Sequence, residues 1–506
     1  MTAIGALVLD ALRAHPDRVA FRYGEAELTY AEAERLVLTV ADALAESGLR
    51  PGDTVLQIRP NDPLQWLVSA ACYVAGHRSA ALPPWTLRGA ALAERLDRVA
   101  PAAVLTEPGD DPDLDAWLRA HPRVRVLTDR DLAAPRERRP TARPAAHPEA
   151  VVRLAFTSGA TGPAKGVELT AGALGAVATM LRDTLPWPDR PRVLCPEPVS
   201  GGFGNLVLPT LLLGGTFLIP DRPGAEALLD SAARHRPSVL MAMPPMLRAM
   251  LHHPDAAACD WSSVELVVYS GAALTIDTIE RAHELFGEVL CGVFGQVEAP
   301  KSIAWSPPAD HRHPWLSASL GRPFPGTEVR VCGPGGRDLP PGRAGELWVR
   351  GPAIARRYAF PPGTPVVDGW LRTGDVCRRD ADGRLFHVDR IQYVLRVGDA
   401  YVCPSDLEAA ILRRTGRAAA VVPTGTASVT VLVATGEQGG RVYDPLDEAV
   451  REAVPEGVRE ALGATLPGLL AVPDAIAIDA VVSVKGLPRD AMGRLDRARL
   501  AAEVAR

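Results

Sequence analysis

Apolar positions along the chain recur with two periods that alternate from segment to segment. From Thr29 to Leu44 they follow the 3.6-residue spacing of a helix with one buried face, and Thr29 with Glu32 three residues on forms the start signal of a capping box. Pro51-Gly52-Asp53 reads as a turn, and Thr54 to Ile58 as a short buried strand. The continuing exchange of helix and strand predicts an α/β fold with a largely parallel sheet. Val151 to Phe156 is a further strand, apolar except for Arg153; Gly345 to Arg350 alternates as a strand, and a turn at Gly383-Arg384 leads into another. Residues 129–150, rich in Pro, Arg and Ala and without apolar period, read as an exposed connector. From about Ile391 the chain has its own strands, Ala418 to Val422 and Ser428 to Ala434, and helices, Pro404 to Arg414 and Asp447 to Leu466. The expected organisation is therefore a large N-terminal domain of mixed sheets with flanking helices, residues 1–392, and a small α+β domain, residues 393–506.

Composition narrows the class. The 506 residues are 47% hydrophobic and 23% charged with a net charge of -5, which suits a soluble globular chain with a sizeable core. A pI near 6.2 and the lack of a basic stripe exclude a nucleic-acid binder that works by attracting phosphate backbones. The longest apolar stretch, Leu206 to Pro220, is broken by Pro209, Gly214 and Gly215, and Met1 to Arg13 has no basic flank before a long apolar run. No membrane partner and a cytoplasmic location are expected. Seven cysteines without a CxxC pair predict reduced thiols rather than a disulfide framework or a zinc site. Of the 55 basic residues only Lys165, Lys301 and Lys485 are lysine, which looks like coding bias and draws attention to the three that persist.

The densest candidate chemistry is the Thr/Ser/Gly-rich loop from Thr157 to Gly166, which follows a strand. Its glycines let backbone N–H groups approach an anion, its hydroxyls can donate to phosphate oxygens, and Lys165 adds positive charge. It is not a Walker A loop, because Lys165 lies between Ala164 and Gly166 instead of preceding Ser or Thr. An ordinary surface turn is the alternative for this segment taken alone.

The segment TSGATGPAKGV resembles the phosphate-binding signature of the adenylate-forming superfamily, which contains acyl-CoA synthetases, adenylation domains of nonribosomal peptide synthetases and firefly luciferase. Four further segments resemble that family's motifs in the same order. They are Phe294 to Glu298 (YGxTE), Gly345 to Pro352 (GELxxxGP), Gly369 to Asp375 (GWxxTGD) and Leu487 to Arg494 (LPRTxxGK). The resemblance implies that Thr157, Ser158, Gly159, Thr161, Gly162 and Lys165 cradle the β- and γ-phosphates of ATP. Phe294, Gly295 and Gln296 would belong to the nucleotide site, Glu298 would help bind Mg²⁺, and Asp375 and Arg390 would hold the ribose. Lys165, Glu298 and Arg494 would act on the phosphates during chemistry. The implied reaction has two steps: an acid oxygen attacks the α-phosphorus and expels pyrophosphate, and a thiol of CoA or of a carrier protein displaces AMP. The small domain would rotate between the steps about a hinge near Gln392 to Tyr393.

Four positions depart from the family pattern, three of them in or next to its motifs. Arg494 stands where the motif has lysine, Val297 replaces the Thr of YGxTE, and Tyr393 falls at the hinge. Arginine keeps the charge but spreads it over a planar fork, whereas a hydroxyl lost beside a reacting phosphate can remove ~3 kcal/mol of transition-state stabilisation. The family's acyl-pocket His is replaced by Val199, ahead of Gly201-Gly202. A small organic or aromatic acid is accordingly expected in place of an ordinary fatty acid. Lys301, just past the Phe294 motif, is either a surface lysine or an anion ligand of the pocket, and Lys485, nine residues before Arg494, is a candidate for the missing ammonium. Two other readings stay open at this point: activation of nitrite for diazotising an aromatic amine in natural-product biosynthesis, and a degenerate member that binds nucleotide or adenylate without turnover.

Overall fold

The computed structural model describes residues 2–505 except 84–86, 108, 134–145, 158–163, 314–315, 317, 399, 426–427, 436–447, 466–475 and 491–493. The chain divides into two compact units: Met1–Thr327 with Arg350–Leu371, and Glu328–Val349 with Arg372–Arg506.

The first unit contains two large sheets. One has nine strands, and its centre, Leu290–Phe294, Leu266–Tyr269, Val239–Ala242, Arg192–Leu194, Thr216–Ile219 and Val19–Tyr23, is parallel throughout. The other has seven strands in the order Arg357–Phe360, Gly166–Thr170, Val151–Phe156, Arg78–Ala81, Thr54–Gln57, Ala103–Leu105 and Arg125–Leu127. Only Gly166–Thr170 runs against its two neighbours. Strands this apolar need cover on both faces. The main core supplies it with the helices Ile4–Ala14, Tyr30–Glu46, Pro63–Ala75 and Ala171–Thr184, while separate apolar clusters cover the outer faces.

Local signals explain the element boundaries. Thr29 and Glu32 form the expected reciprocal cap, with Thr29 N–H donating to the Glu32 carboxylate at 2.8 Å and Glu32 N–H donating to Thr29 Oγ1 at 3.2 Å. The connector expected over 129–150 is corrected at its start, where Asp129–Ala133 is a short helix. Thr128 and Asp131 cap it by the same reciprocal bonding, and Leu132 is buried in the main core. One leucine sufficed because its helix is a single turn, too short to display a period. Residues 134–145 lie outside the described part.

Glu328–Cys332, Gly345–Arg350 and Trp370–Arg379, all but residues 350 and 370–371 of which belong to the second unit, adjoin in that order, and Leu385–Arg390 pairs with the last. A three-stranded sheet, Ala419–Pro423, Ser428–Ala434 and Ala477–Val484, follows with the helices Pro404–Thr415 and Glu448–Thr465. This is the α+β arrangement expected for the C-terminal part.

Candidate active site

The loop of Thr157 to Gly166 springs from the hairpin of Val151–Phe156 and Gly166–Thr170, and its neck is closed by two reciprocal bonds. Thr157 N–H donates to the Lys165 carbonyl at 3.1 Å, and Lys165 N–H donates to Thr157 Oγ1 at 3.0 Å. Ser158, Gly159, Thr161 and Gly162 lie outside the described residues. Gly166 allows the next strand to approach, since a Cβ there would meet the Phe360 ring at 2.5 Å. Pairing of Tyr358 with Val167 brings Tyr358 beside the loop. The Lys165 ammonium lies 4.7 Å from the centre of its ring, and its hydroxyl donates to Glu298 Oε1 at 2.8 Å. One tyrosine thus joins the loop lysine to the motif glutamate. Glu298 is buried, and its carbonyl accepts from Ala355 N–H at 2.7 Å.

Phe294 to Lys301 forms a tight reversal. Gln296 and Ala299 exchange backbone hydrogen bonds at 3.0 and 3.2 Å. Gly295 is required because a Cβ would stand 2.3 Å from Lys301 N. Val297 packs against the main core. Lys301 ends the reversal with a left-handed φ of 51° and is buried, its ammonium 3.8 Å from the centre of the Phe203 ring. Burial pushes its pKa down to about 8, with the nearby Glu197 carboxylate acting in the opposite direction.

The segment facing Lys301 is held from several sides. Asn61 donates to the Glu197 carbonyl at 3.4 Å and accepts from Val199 N–H at 2.9 Å. Arg153, the single charge of its strand, donates to the Ser200 and Gly201 carbonyls at 2.7 and 3.3 Å and to Asn205 Oδ1 at 3.2 Å. Glu197 accepts from Met243 N–H at 3.0 Å, and burial raises its pKa against that bond and the Lys301 charge.

In the second unit, the hairpin of Trp370–Arg379 and Leu385–Arg390 sets Asp375 opposite Arg390, and a bulge at Val376/Cys377 turns His387 toward the same carboxylate. Asp375 Oδ1 accepts from Arg390 Nη1 at 2.6 Å and from His387 Nε2 at 3.2 Å. Burial alone would raise the Asp375 pKa; the His387 bond and the Arg390 guanidinium outweigh it and hold the carboxyl below its usual range. The Glu346 carboxylate of the GELxxxGP segment accepts from Arg372 Nη2 at 2.8 Å and Trp348 Nε1 at 2.9 Å, so this glutamate holds two motif strands together. Arg494 is exposed, and its Nε donates to Asp490 Oδ2 at 2.9 Å. Such a surface pair contributes about 0–1 kcal/mol, little enough to release the guanidinium to another anion.

Comparison with known proteins decides the family: AMP-binding enzymes match residues 9–359. The chain belongs to the AMP-binding enzyme family. It is 32% identical over 403 residues to a feruloyl-CoA synthase from an Amycolatopsis species, covering 78% of this chain and 80% of that protein. It is 27% identical over 517 residues to the medium/long-chain-fatty-acid–CoA ligase FadD8 of Mycobacterium tuberculosis, covering 97% and 88%. Among solved structures, the amide bond synthetase McbA from Marinactinospora thermotolerans matches with a TM-score of 0.79 and 28% identity over 99% of each chain. ATP-bound MatB from Rhodopseudomonas palustris, at 22% identity and a TM-score of 0.78, shares the fold.

In this AMP-binding enzyme the sequence-derived site residues fall into two groups. Thr157, Lys165, Phe294, Gly295, Gln296 and Glu298 gather in the first unit, and Asp375, Arg390 and Arg494 belong to the second. Sequence reasoning missed Tyr358, His387, Asn61, Glu197 and Phe203, and saw Arg153 only as an oddity in a strand. No group of three or more His, Cys, Asp or Glu side chains among the described residues is arranged to hold a metal ion. A single carboxylate fits Mg²⁺ nonetheless, because that ion keeps water and takes most of its remaining ligands from nucleotide phosphates.

Proposed function

We propose that this enzyme activates a small organic or aromatic acid with ATP, releasing pyrophosphate, and passes the acyl group from AMP to a thiol of CoA or a carrier protein. The observation that carries this is the Lys165–Tyr358–Glu298 contact, which gathers a cation and a carboxylate beside the hydrogen-bonded neck of the hydroxyl- and glycine-rich segment. In this reading the loop and Lys165 hold the β- and γ-phosphates against the pull of the incoming carboxylate. The work is positioning and charge neutralisation, with little acid–base chemistry. Glu298 would hold Mg²⁺ together with the phosphates, and the ion would offset charge on them. Asp375, kept ionised by Arg390 and His387, accepts from ribose hydroxyls, a task suited to an acceptor-only group. Arg494 leaves Asp490 to meet the α-phosphate, and residues 393–506 turn about 392–393 between the two steps. Seven free thiols support a reducing, cytoplasmic setting. No helix among the described residues is long and apolar enough to cross a membrane.

The 28% identity to an amide bond synthetase over 99% of both chains supports an amine as a second class of acceptor. ATP–pyrophosphate exchange across aromatic and aliphatic acids and nitrite tests the reading. Exchange with a carboxylic acid is expected; AMP release driven by nitrite with an aminoaromatic would replace the acid. Nucleotide binding with no AMP formed from any acid would overturn the enzymatic reading. Product analysis with CoA, a carrier protein and an aryl amine then assigns the acceptor.

A further inference from the structure

Two unfavourable features meet at Lys301. Its backbone occupies the left-handed region, where a residue with a side chain is strained, and its ammonium is carried into a site where the residue is only 6% exposed. Strain and desolvation at one residue mark function more often than chance packing.

The surroundings of the ammonium are specific. It rests on the Phe203 ring beside Gly202, and no carbonyl, hydroxyl or carboxylate of the described residues accepts a hydrogen bond from it. Glu197 acts on it through space without an ion pair shorter than 4.0 Å. An ammonium has three donors to place. Around it the wall is rigid, because Asn61, Arg153 and the bond from Met243 N–H to Glu197 fix residues 197–205. A donor without acceptor, held by a supported frame and floored by an aromatic ring, is the arrangement of a pre-organised recognition group.

Charge selects what it recognises. The carboxylate of Glu197 lies within electrostatic reach of the ammonium, so a second full negative charge on the ligand would be set against it as well as drawn to the cation. A hydroxyl avoids this, since it accepts from an ammonium and can donate to a carboxylate. We propose that Lys301 is a specificity-determining residue which receives a hydroxyl carried by the acid at the end distal to the carboxyl that is adenylated. The inference rests on the adenylation reading for the identity of the reacting carboxyl.

The test measures equilibrium binding and ATP–pyrophosphate exchange on the full chain with benzoic, 4-hydroxybenzoic and terephthalic acids, and with the corresponding cinnamic series. The hydroxylated acid is expected to exceed both its unsubstituted and its dicarboxylate counterpart by about 10–100-fold in binding and in kcat/KM. Lys301→Met should collapse the ratio of hydroxylated to unsubstituted acid to about twofold or less. Lys301→Gln, which retains a neutral donor, should keep part of it and carries the test if the Met variant fails to fold. A ratio unmoved by either variant, or a dicarboxylate preferred by the parent chain, overturns the proposal. Selective binding without exchange preserves it while removing the adenylation reading, and exchange without selectivity does the reverse. If no acid binds or exchanges, both fall.

Discussion

Replacing Lys301 with Met is expected to stabilise the protein at neutral pH. Burial brings the ammonium from the 10.5 of a solvated lysine to about 8, and at 1.36 kcal/mol for each tenfold change in proton affinity this amounts to about 3 kcal/mol. Part is returned, because Glu197 loses the positive charge that opposes its own upward displacement. A net gain of ~1–3 kcal/mol remains, or about 1–4 °C in Tm for a unit of roughly 350 residues. The pH dependence has a definite sign. Between pH 8 and 10.5 the unfolded chain binds the lysine proton and the folded chain has released it, so the parent protein gains stability as pH rises through that window. Methionine has no proton to bind. The advantage of the variant is therefore complete below pH 8 and shrinks toward pH 10.5. Scanning calorimetry of both proteins at pH 7, 8, 9 and 10 and fixed ionic strength measures it. A variant less stable at pH 7, or a gap that widens with pH, refutes the reasoning.

Other substitutions probe the remaining contacts. Tyr358→Phe keeps the ring under Lys165 and removes the hydroxyl from Glu298; exchange should slow by ~10-fold with the Tm little changed, and an unaltered rate would disconnect this contact from the chemistry. Asp375→Asn should weaken AMP binding by ~10–100-fold in a titration, and an unchanged Kd would remove Asp375 from the ribose site. Arg497→Ala strands the buried carboxylate of Asp389 and the half-buried one of Glu408, and denaturant unfolding should reveal a loss of ~3–5 kcal/mol in the second unit. Gly295→Ala forces a Cβ to within 2.3 Å of Lys301 N, and should lower stability by about 1–3 kcal/mol in thermal melts.

The legible part of the site was the part that motifs contain. Thr157 and Lys165 close one loop, and Asp375 and Arg390 face each other across one hairpin, so each pair is set by residues close in the chain. Tyr358 reaches Glu298 only because Arg357–Phe360 joins the edge of a sheet whose neighbouring strand lies about 190 residues earlier, and no local pattern encodes that pairing. His387 reaches Asp375 through a bulge, whose extra residue alternation does not announce. Asn61 and Arg153 were opaque for a different reason: their partners are mostly backbone carbonyl and amide groups of residues 197–201, and a carbonyl carries no residue identity to read. In the fold, capped helices and buried strands were visible as composition and period. The order of nine strands across a sheet was not, because it depends on which apolar faces cover one another.

Asp389 adjoins Arg390, is 4% exposed, and takes Ser405 N–H at 3.0 Å and Arg497 at 3.1 Å, both from beyond residue 393. The swivel proposed at 392–393 would separate it from the two together and leave a desolvated carboxylate that burial already pushes toward protonation. On that proposal the C-terminal segment would be latched: a turn would have to clear a threshold set by one aspartate, and the protein would dwell in discrete postures instead of drifting between them.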